Sequence, residues 1–499
     1  MATYSRQQIK FISLGAGILI ALAVYFSNPF GVGEKARQVL AIGSLMIIWW
    51  VTEALPMAVV ALLPLIFFPL LKISKIEETA VPYASPVIFL FMGGFMLGLA
   101  IEKWNLHKRI ALSIVRLTGT SGDRIILGFI LATGLLSMWL SNTATTLMMF
   151  PIALSVIQVV KENHKGDGNI KNFSLVLMMV IAFASNMAVG TIIGTPPNVA
   201  YVGHISEKYH YQVDFVKWMI LCTPLSVLLL LALYVVLAKW LYPNRIKSNP
   251  ATRDLIMREL YSLGPLSVQE KRVLIIFLST SFLWITKDLI NSLQHAFVLD
   301  DTIIALLCTV SLFLCPAGPH PLKGSNSVNL QDDENGKQES VSILEWSDTK
   351  KMGWGILLLF GGGIALATAL EKANLIQDLG HWLAQYASNQ FILVLLITTI
   401  SIFISEVMSN VAQVIVFAPV VSSIADALGM NPLMLGIPMT LAASCASMLP
   451  MGTPPNAIVF ASGHIRLRQM TKAGFVLNIV SVILITLFCW FFIPLLMKM

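Results

Sequence analysis

Gly194-Thr195-Pro196-Pro197-Asn198 interrupts an apolar run over residues 174–204, and Gly452-Thr453-Pro454-Pro455-Asn456 interrupts another over 433–462. Each break follows a second unusual string, Ser141-Asn142-Thr143 in the first case and Ser409-Asn410-Val411 in the second. Proline removes a backbone donor and breaks the helical ladder, while glycine weakens it. In hydrocarbon an unsatisfied amide or carbonyl is costly, so such breaks persist only where protein, water or a ligand covers them. Two interrupted apolar segments at corresponding places in two halves point to the central binding site of a solute carrier.

The rest of the chain agrees with a membrane setting. Hydrophobic residues make up 56% and charged residues only 12%, and the mean hydropathy is +0.78, whereas a soluble domain carries roughly 25% charged residues. Apolar runs of spanning length fall near 9–28, 37–54, 56–72, 86–102, 174–204, 215–241, 272–290, 301–316, 353–371, 433–462 and 474–497. Two further regions, 125–160 and 391–427, carry a Ser-Asn string at their middle and then Pro151 or Pro419, and read as re-entrant hairpins that enter the membrane and return. The expected fold is therefore an all-α polytopic membrane protein with about 11 transmembrane helices plus two re-entrant helical hairpins.

Charge supports that count. With the N-terminus inside, most of the 33 Lys and Arg fall on cytoplasmic segments, including Lys103, Lys108, Arg109, Arg116 and Arg124, the stretch from Lys239 to Arg272, and Arg466, Arg468 and Lys472. The C-terminus is then outside. Reading either hairpin as a single crossing would spoil the asymmetry, so the net charge of +7 is a topology signal and not a nucleic-acid footprint. The basic start followed by an apolar run reads as a retained first span, not a cleaved signal. Cys222, Cys308, Cys315, Cys445 and Cys489 show no CxxC spacing and read as buried apolar residues.

The duplication reaches beyond the motifs. Phe91-Met92-Gly93-Gly94 leads to Glu102-Lys103-Trp104-Asn105-Leu106, and Phe360-Gly361-Gly362-Gly363 leads in the same register to Glu371-Lys372-Ala373-Asn374-Leu375. Both broken segments exit through Gly-His-Ile, at His204 and His464. Because the first copy starts outside and the second inside, the two are expected to be inverted repeats. The chain divides into scaffold helices over 1–124, a hairpin and broken helix over 125–241, a basic linker, further scaffold helices and a hydrophilic loop over 242–390, and the second hairpin, broken helix and last helix over 391–499. Residues 317–351 read as the flexible loop.

Ser and Thr hydroxyls and Asn amides offer both donors and acceptors, a set suited to a carboxylate and a small cation together. Helix N-termini add amides for an anion, while unwound carbonyls and helix C-termini suit a cation. No Lys or Arg lies between Arg124 and Lys161, or between Lys372 and Arg466. A multiply charged anion bound there needs helix ends and co-bound cations for compensation, which is a physical reason for coupling to Na+. No phosphate-binding loop supports ATP drive, and no HExxH or acid-rich motif supports the contrasting reading of an intramembrane enzyme.

The paired Ser-Asn-Thr/Val tips, the paired Gly-Thr-Pro-Pro-Asn breaks and the lead-in Ser405-Glu406-Val407-Met408 resemble the divalent-anion:sodium symporter family, which includes the Na+/dicarboxylate cotransporters, over about 10–497. The resemblance implies a homodimer working as an elevator, with a mobile body carrying both hairpins and sliding against a dimerised scaffold embedded in lipid. It implies Na+ as the co-transported ion and no organic cofactor, with a di- or tricarboxylate of the succinate, malate and fumarate class, or citrate, as cargo. A sulfate carrier or Na+-independent exchanger of the same fold is the alternative. By the same resemblance, one sodium site uses Ser137, Ser141, Asn142 and the backbone at Gly194, and the other uses Ser405, the Met408 backbone, Asn410 and the backbone at Gly452. The substrate would meet Ser141, Asn142, Thr143, Thr195, Pro196, Ser409, Asn410, Val411, Thr453 and Pro454. Val411 departs from the Thr that many bacterial dicarboxylate carriers of the family have there, and that removes a donor.

Several residues keep two readings. Glu406 is a brace for the second hairpin or a functional charge at membrane depth. His204 and His464 are matched relics of repeat ancestry or pH sensors. The glycine runs at 93–94 and 361–363 read as close helix packing.

Overall fold

The computed structural model describes residues 6–29, 31–163, 168–248, 250–318, 342–373, 375 and 389–496. Most of the expected flexible loop, residues 319–341, lies outside the described residues. Among those described, the chain is helical throughout apart from turns and one isolated bridge between Pro316 and Ser342. The described residues include 9 helices long and apolar enough to cross a membrane, by length and composition.

α1 (Arg6–Ser27) and α2 (Glu34–Val51) pack along one another across a tight turn. Asn28 makes that turn, with φ 43°, by donating to the Val32 carbonyl and accepting from the Val32 amide, both at 3.0 Å. The single span expected over 56–72 is instead two short helices, α3 (Met57–Val60) and α4 (Leu63–Leu70). Pro56 opens the first and Pro64 the second, each at a helix start where a missing amide is harmless. The chain continues through α5 (Ile76–Ala80) into α6 (Pro86–Lys103) and amphipathic α7 (Leu106–Thr118).

The first hairpin is α8 (Gly122–Ser137) and α9 (Asn142–Asn163), and the first broken helix is α10 (Gly168–Asn186) and α11 (Pro196–Tyr209). Next comes α12 (Phe215–Tyr234), whose last turns over Val235–Leu241 widen to π geometry. The basic stretch 242–271 holds a short helix, α13 (Pro250–Ser262), packed on α7 and α9. Its charge had concealed its helical content. α14 (Val268–Leu293) starts with a Ser267/Glu270 capping box, and Arg109 of α7 grips the Glu270 carboxylate at 2.7 and 3.0 Å. α15 (Asp301–Leu314) and α16 (Trp354–Lys372) follow.

The second hairpin is α17 (Gln390–Ile404) and α18 (Asn410–Ala427), the second broken helix is α19 (Leu433–Ser444) and α20 (Pro454–Phe460), and α21 (Leu467–Leu496) closes the chain. The runs 174–204 and 433–462, each predicted as one interrupted span, are thus two helices apiece.

The deepest layer is α10 and α19, each clasped by its own hairpin. The copies also interleave: α10 packs on α20, α11 on α18, and α20 on α9. That interleaving carries the two breaks to the same depth. On the other side, Gly362 of α16 lies against the backbone of Ala61, where an added Cβ would come within 2.3 Å of the carbonyl oxygen. Gly361 is similarly closed by Tyr83, so the expected packing role of the 361–363 run holds. Apolar side chains outside this core, such as Phe11 and Leu19 on α1 and Leu278, Phe282 and Leu289 on α14, are exposed. In water each would lose about 25 cal/mol for every Å² left uncovered. Lipid removes that loss.

Candidate functional site

The hairpins bend at matching hydroxyls. Ser137 Oγ lies 2.8 Å from the Asn142 side-chain amide and 3.3 Å from the Ser185 carbonyl oxygen, and its one proton serves only one of them. In the second copy Ser405 Oγ lies 2.6 Å from the Ala443 carbonyl oxygen and 2.7 Å from the Asn410 side-chain amide, and its one proton serves only one of them. Each serine thereby ties its hairpin tip to its own broken helix. Both asparagines line the cavity.

Gly194 and Gly452 lie where backbone oxygens converge. A Cβ on Gly194 would come 2.8 Å from the Met138 carbonyl oxygen, and one on Gly452 would come 3.1 Å from Glu406 Oε2 and 3.3 Å from the Leu449 carbonyl oxygen. Thr191 donates its hydroxyl to the same Met138 carbonyl. Hydroxyl, amide and carbonyl oxygens gather around each tip, joined at the second by the Glu406 carboxylate, and such oxygen sets suit a hard cation. No group of three or more His, Cys, Asp or Glu side chains suited to a metal occurs among the described residues.

The unwound loops are stapled by the Asn of each Gly-Thr-Pro-Pro-Asn string. Asn198 Nδ2 donates to the Thr191 carbonyl at 3.0 Å, and Asn456 Nδ2 donates to the Leu449 carbonyl at 3.1 Å. Pro196 and Pro454 occupy the first turns of α11 and α20, and their amide-free nitrogens fit a helix start. The copies then diverge. Glu406, 2% exposed, accepts from the backbone amides of Ser447, Met448 and Leu449 at 2.8 to 3.0 Å and from Asn478 Nδ2 at 2.7 Å. The corresponding place in the first copy is Met138. Glu406 therefore braces the second hairpin against its broken helix.

A cavity of about 1190 Å³ opens between these elements. It is lined by Ser141, Asn142, Thr143, Thr195 and Pro196 from the first copy and by Ser409, Asn410, Val411, Thr453 and Pro454 from the second, so every residue predicted to meet substrate faces one space. Met408 and Gly452 also line it, while Ser137, Ser405 and Gly194 lie behind the wall. Gly94 and Gly98 of α6 and Ile356 and Leu359 of α16 form the opposite side. Toward its mouth the lining includes Glu53 beyond α2, Glu102 at the end of α6, His107 at the start of α7 and Lys351 before α16. α1 begins on that same side. His204, whose Nε2 is 3.1 Å from Ser422 Oγ, and His464 lie off the cavity. Burial, then Lys161, lowers the His464 pKa, which favours its neutral form.

The sequence reading left out two features around this cavity. One is Asn186, the last residue of α10, which lines the cavity and reaches across to the second copy. Its signal was another Ser-Asn pair inside an apolar run, Ser185-Asn186, just ahead of the first break. The other is a contact at the far end from the mouth. Lys287 of α14 sits between Asp214, which caps α12, at 2.5 Å and Asp301 of α15 at 2.8 Å. Burial raises the Asp214 pKa, but Lys287 and the amides of Lys217 and Val216 more than offset it and hold the carboxyl below its ordinary value. Beside this triad Trp139, at the first hairpin tip, meets Phe277 edge-on at 4.7 Å, and Phe215 stacks on Trp284 at 4.2 Å.

The free cysteines are Cys222, Cys308, Cys445 and Cys489, all buried, and half-buried Cys315.

Residues 8–499 match the family model described as the sodium:sulfate symporter transmembrane region. A protein of Staphylococcus saprophyticus named sodium-dependent dicarboxylate transporter SdcS is 37% identical over 498 residues, covering 99% of this chain and 92% of its own length. The protein of that name from Staphylococcus aureus strain USA300 is 36% identical over 497 residues, covering 98% and 92%. Two solved membrane transporters share the fold. The YdaH transporter of Alcanivorax borkumensis superposes with TM-score 0.54 at 15% identity, over 90% of this chain and 99% of its own. Neisseria gonorrhoeae MtrF does so with TM-score 0.53 at 14% identity, over 85% and 84%.

Proposed function

We propose, because this chain belongs to the sodium:sulfate symporter family, that it carries a small dicarboxylate of the succinate, malate and fumarate class into the cell together with Na+. The observation that carries this reading is the convergence of both Ser-Asn tips and both broken helices on one cavity whose inner wall has no cationic side chain. An anion there is held by amide and hydroxyl donors and by helix starts, and its charge is balanced by cations bound to the oxygens at the tips. The test is uptake of labelled succinate by proteoliposomes under an inward Na+ gradient. Equal uptake in Na+ and choline media would sink the coupling, and preference for sulfate as a competitor would move the assignment to a sulfate carrier.

Transport is read as elevator-like. The body built from 125–241 and 391–496 carries the cavity's donors, and α14 to α16 with α1 to α6 form the scaffold against which it slides. The positive-inside asymmetry assigns the cavity mouth to the cytoplasm. Lys287 then holds the body closed on the outer side by bridging Asp214 to the scaffold. Lys287→Met removes that bridge and leaves two buried carboxylates facing each other. The expected result is faster labelling of a cysteine placed at Thr195 by a membrane-impermeant thiol reagent added outside; an unchanged rate counts against the latch. The exposed apolar face of α14 suits lipid or a second copy, and a monomeric mass in detergent by light scattering would refute the homodimer.

Val411 sets substrate preference. Restoring a hydroxyl with Val411→Thr adds a donor where a carboxylate arrives. It is expected to lower the succinate KM by about tenfold, the worth of one hydrogen bond to a charged group. Competition of unlabelled succinate against citrate in the two proteins reads the change, and an unaltered ratio would place Val411 outside the substrate's reach.

A further inference from the structure

Asn186 stands at the end of α10, 1% exposed, beside the junction of the two breaks. Its Nδ2 lies 3.1 Å from Thr453 Oγ1, 3.2 Å from Asn456 Oδ1 and 3.3 Å from the Ala446 carbonyl oxygen, all in the second copy, while its Oδ1 has no protein partner. A carbonyl oxygen cannot donate. Neither can the Asn456 oxygen, since the NH2 of that amide is spent on the Leu449 and Ala446 carbonyls. These acceptors orient the Asn186 amide, and since Asn456 Nδ2 already serves the Ala446 carbonyl, the two Asn186 protons go to the nearer Thr453 Oγ1 and Asn456 Oδ1. Thr453 Oγ1 also accepts from the Asn456 backbone amide at 3.3 Å, and no protein acceptor takes its own proton.

The equivalent threonine faces a different kind of partner. Thr195 Oγ1 lies 3.4 Å from Ser444 Oγ, and Ser444 occupies the place in the second copy that Asn186 occupies in the first. Ser444 has one proton, and its carbonyl partner is Thr440, at 3.4 Å. With that proton on Thr440, Thr195 donates to Ser444 and spends its hydroxyl on the protein. Thr453 and Thr195 both line the cavity; Thr453 faces donors and keeps its own proton, whereas Thr195 faces a hydroxyl that can take either role.

We infer that Asn186 is a positioning residue that polarises Thr453, so that the Thr453 O–H donates to an ionised carboxylate oxygen of the substrate. This rests on the dicarboxylate reading above and deepens it. A hydroxyl loaded with two incoming hydrogen bonds cannot accept a third without loss, so the site favours a fully ionised carboxylate and disfavours a carboxylic acid or an alcohol at that point. The second copy, which lacks a hydroxyl at Val411, recovers a donor at Thr453. Sequence identity at the two Gly-Thr-Pro-Pro-Asn strings conceals that difference, because it is imposed from the other half of the chain.

The experiment is sodium-driven uptake of labelled succinate in proteoliposomes by the wild type, Asn186→Ala, Asn186→Ser, Thr453→Ala, Ser444→Ala and the double variant Asn186→Ala/Thr453→Ala. Asn186→Ala is expected to raise the succinate KM by about tenfold or more, the worth of one hydrogen bond to a charged group. The Na+ half-saturation should stay within about twofold, because the tip oxygens are untouched. The double variant should be no worse than Thr453→Ala, and Ser444→Ala should change KM far less than Asn186→Ala. Multiplying losses in the double variant, an unchanged KM in Asn186→Ala, or an equal loss of Na+ affinity would overturn the role. If Asn186→Ala does not fold, Asn186→Ser, alone and combined with Thr453→Ala, supplies the same comparison. Wild-type vesicles without Na+-driven succinate uptake would instead overturn the underlying transport reading.

Discussion

Asn410→Ala and Asn142→Ala are each expected to abolish sodium-driven uptake while leaving a folded protein in the membrane. Each Asn works at both ends of its amide. One end of the amide is held by Ser405 at 2.7 Å or Ser137 at 2.8 Å, beside the oxygen set suited to a cation, and both residues line the cavity. Alanine removes a cation ligand and an anion donor together. A hydrogen bond to a charged group is worth about 1.5–3 kcal/mol, so losing two such interactions lowers uptake efficiency by roughly a hundredfold to ten-thousandfold. The fold is expected to survive because both residues are partly exposed at hairpin tips, outside the apolar core. The check is initial uptake rate against Na+ and succinate concentration, with expression and a monodisperse detergent profile as controls. Normal uptake in either variant would refute the site.

The repeated strings show why this much was legible. Apolar runs report helices, and Gly-Thr-Pro-Pro-Asn reports their interruption, because both are local consequences of backbone chemistry. Repetition then places two local signals in one site, and Ser141, Thr195, Ser409 and Thr453 do face one cavity. What stayed hidden depends on contacts between distant segments or on mixed local signals. The run 56–72 has the apolar content of a span, and only the positions of Pro56 and Pro64 at helix starts divide it. The charge of 250–262 obscured a helix that is held by packing on α7 and α9. Lys287, Asp214 and Asp301 are scattered over three elements, and no spacing rule joins them. Asn186 is the sharpest case. Its partners are in the other repeat, so a motif reading has no reason to separate it from a helix-packing Asn.

Glu406→Leu is expected to prevent accumulation of folded protein, and Glu406→Gln to leave a protein that folds but melts earlier. The carboxylate is 2% exposed and takes four donors, three of them backbone amides of the unwound stretch between α19 and α20. Each buried donor left without a partner costs about 1–3 kcal/mol, so leucine, which fills the space but accepts nothing, destabilises by at least about 4 kcal/mol. Glutamine keeps one acceptor oxygen and turns an NH2 group toward amides that are themselves donors, a loss of one or two bonds instead of four. The gradation separates a brace from a charge acting only on bound ions. A charge acting only on ions predicts the same thermal stability for Glu406→Gln and wild type in Na+-free buffer, with the difference appearing as Na+ is added. A brace predicts the deficit without Na+, because the amides of Ser447, Met448 and Leu449 lose their acceptor whether or not an ion is present. Fluorescence-detected melting of the purified proteins with Na+ replaced by choline decides between them. The geometry around Glu406 favours the deficit in both buffers. The first copy needs no such residue: there Thr191 donates to the Met138 carbonyl and ties the tip to its broken helix without a buried charge.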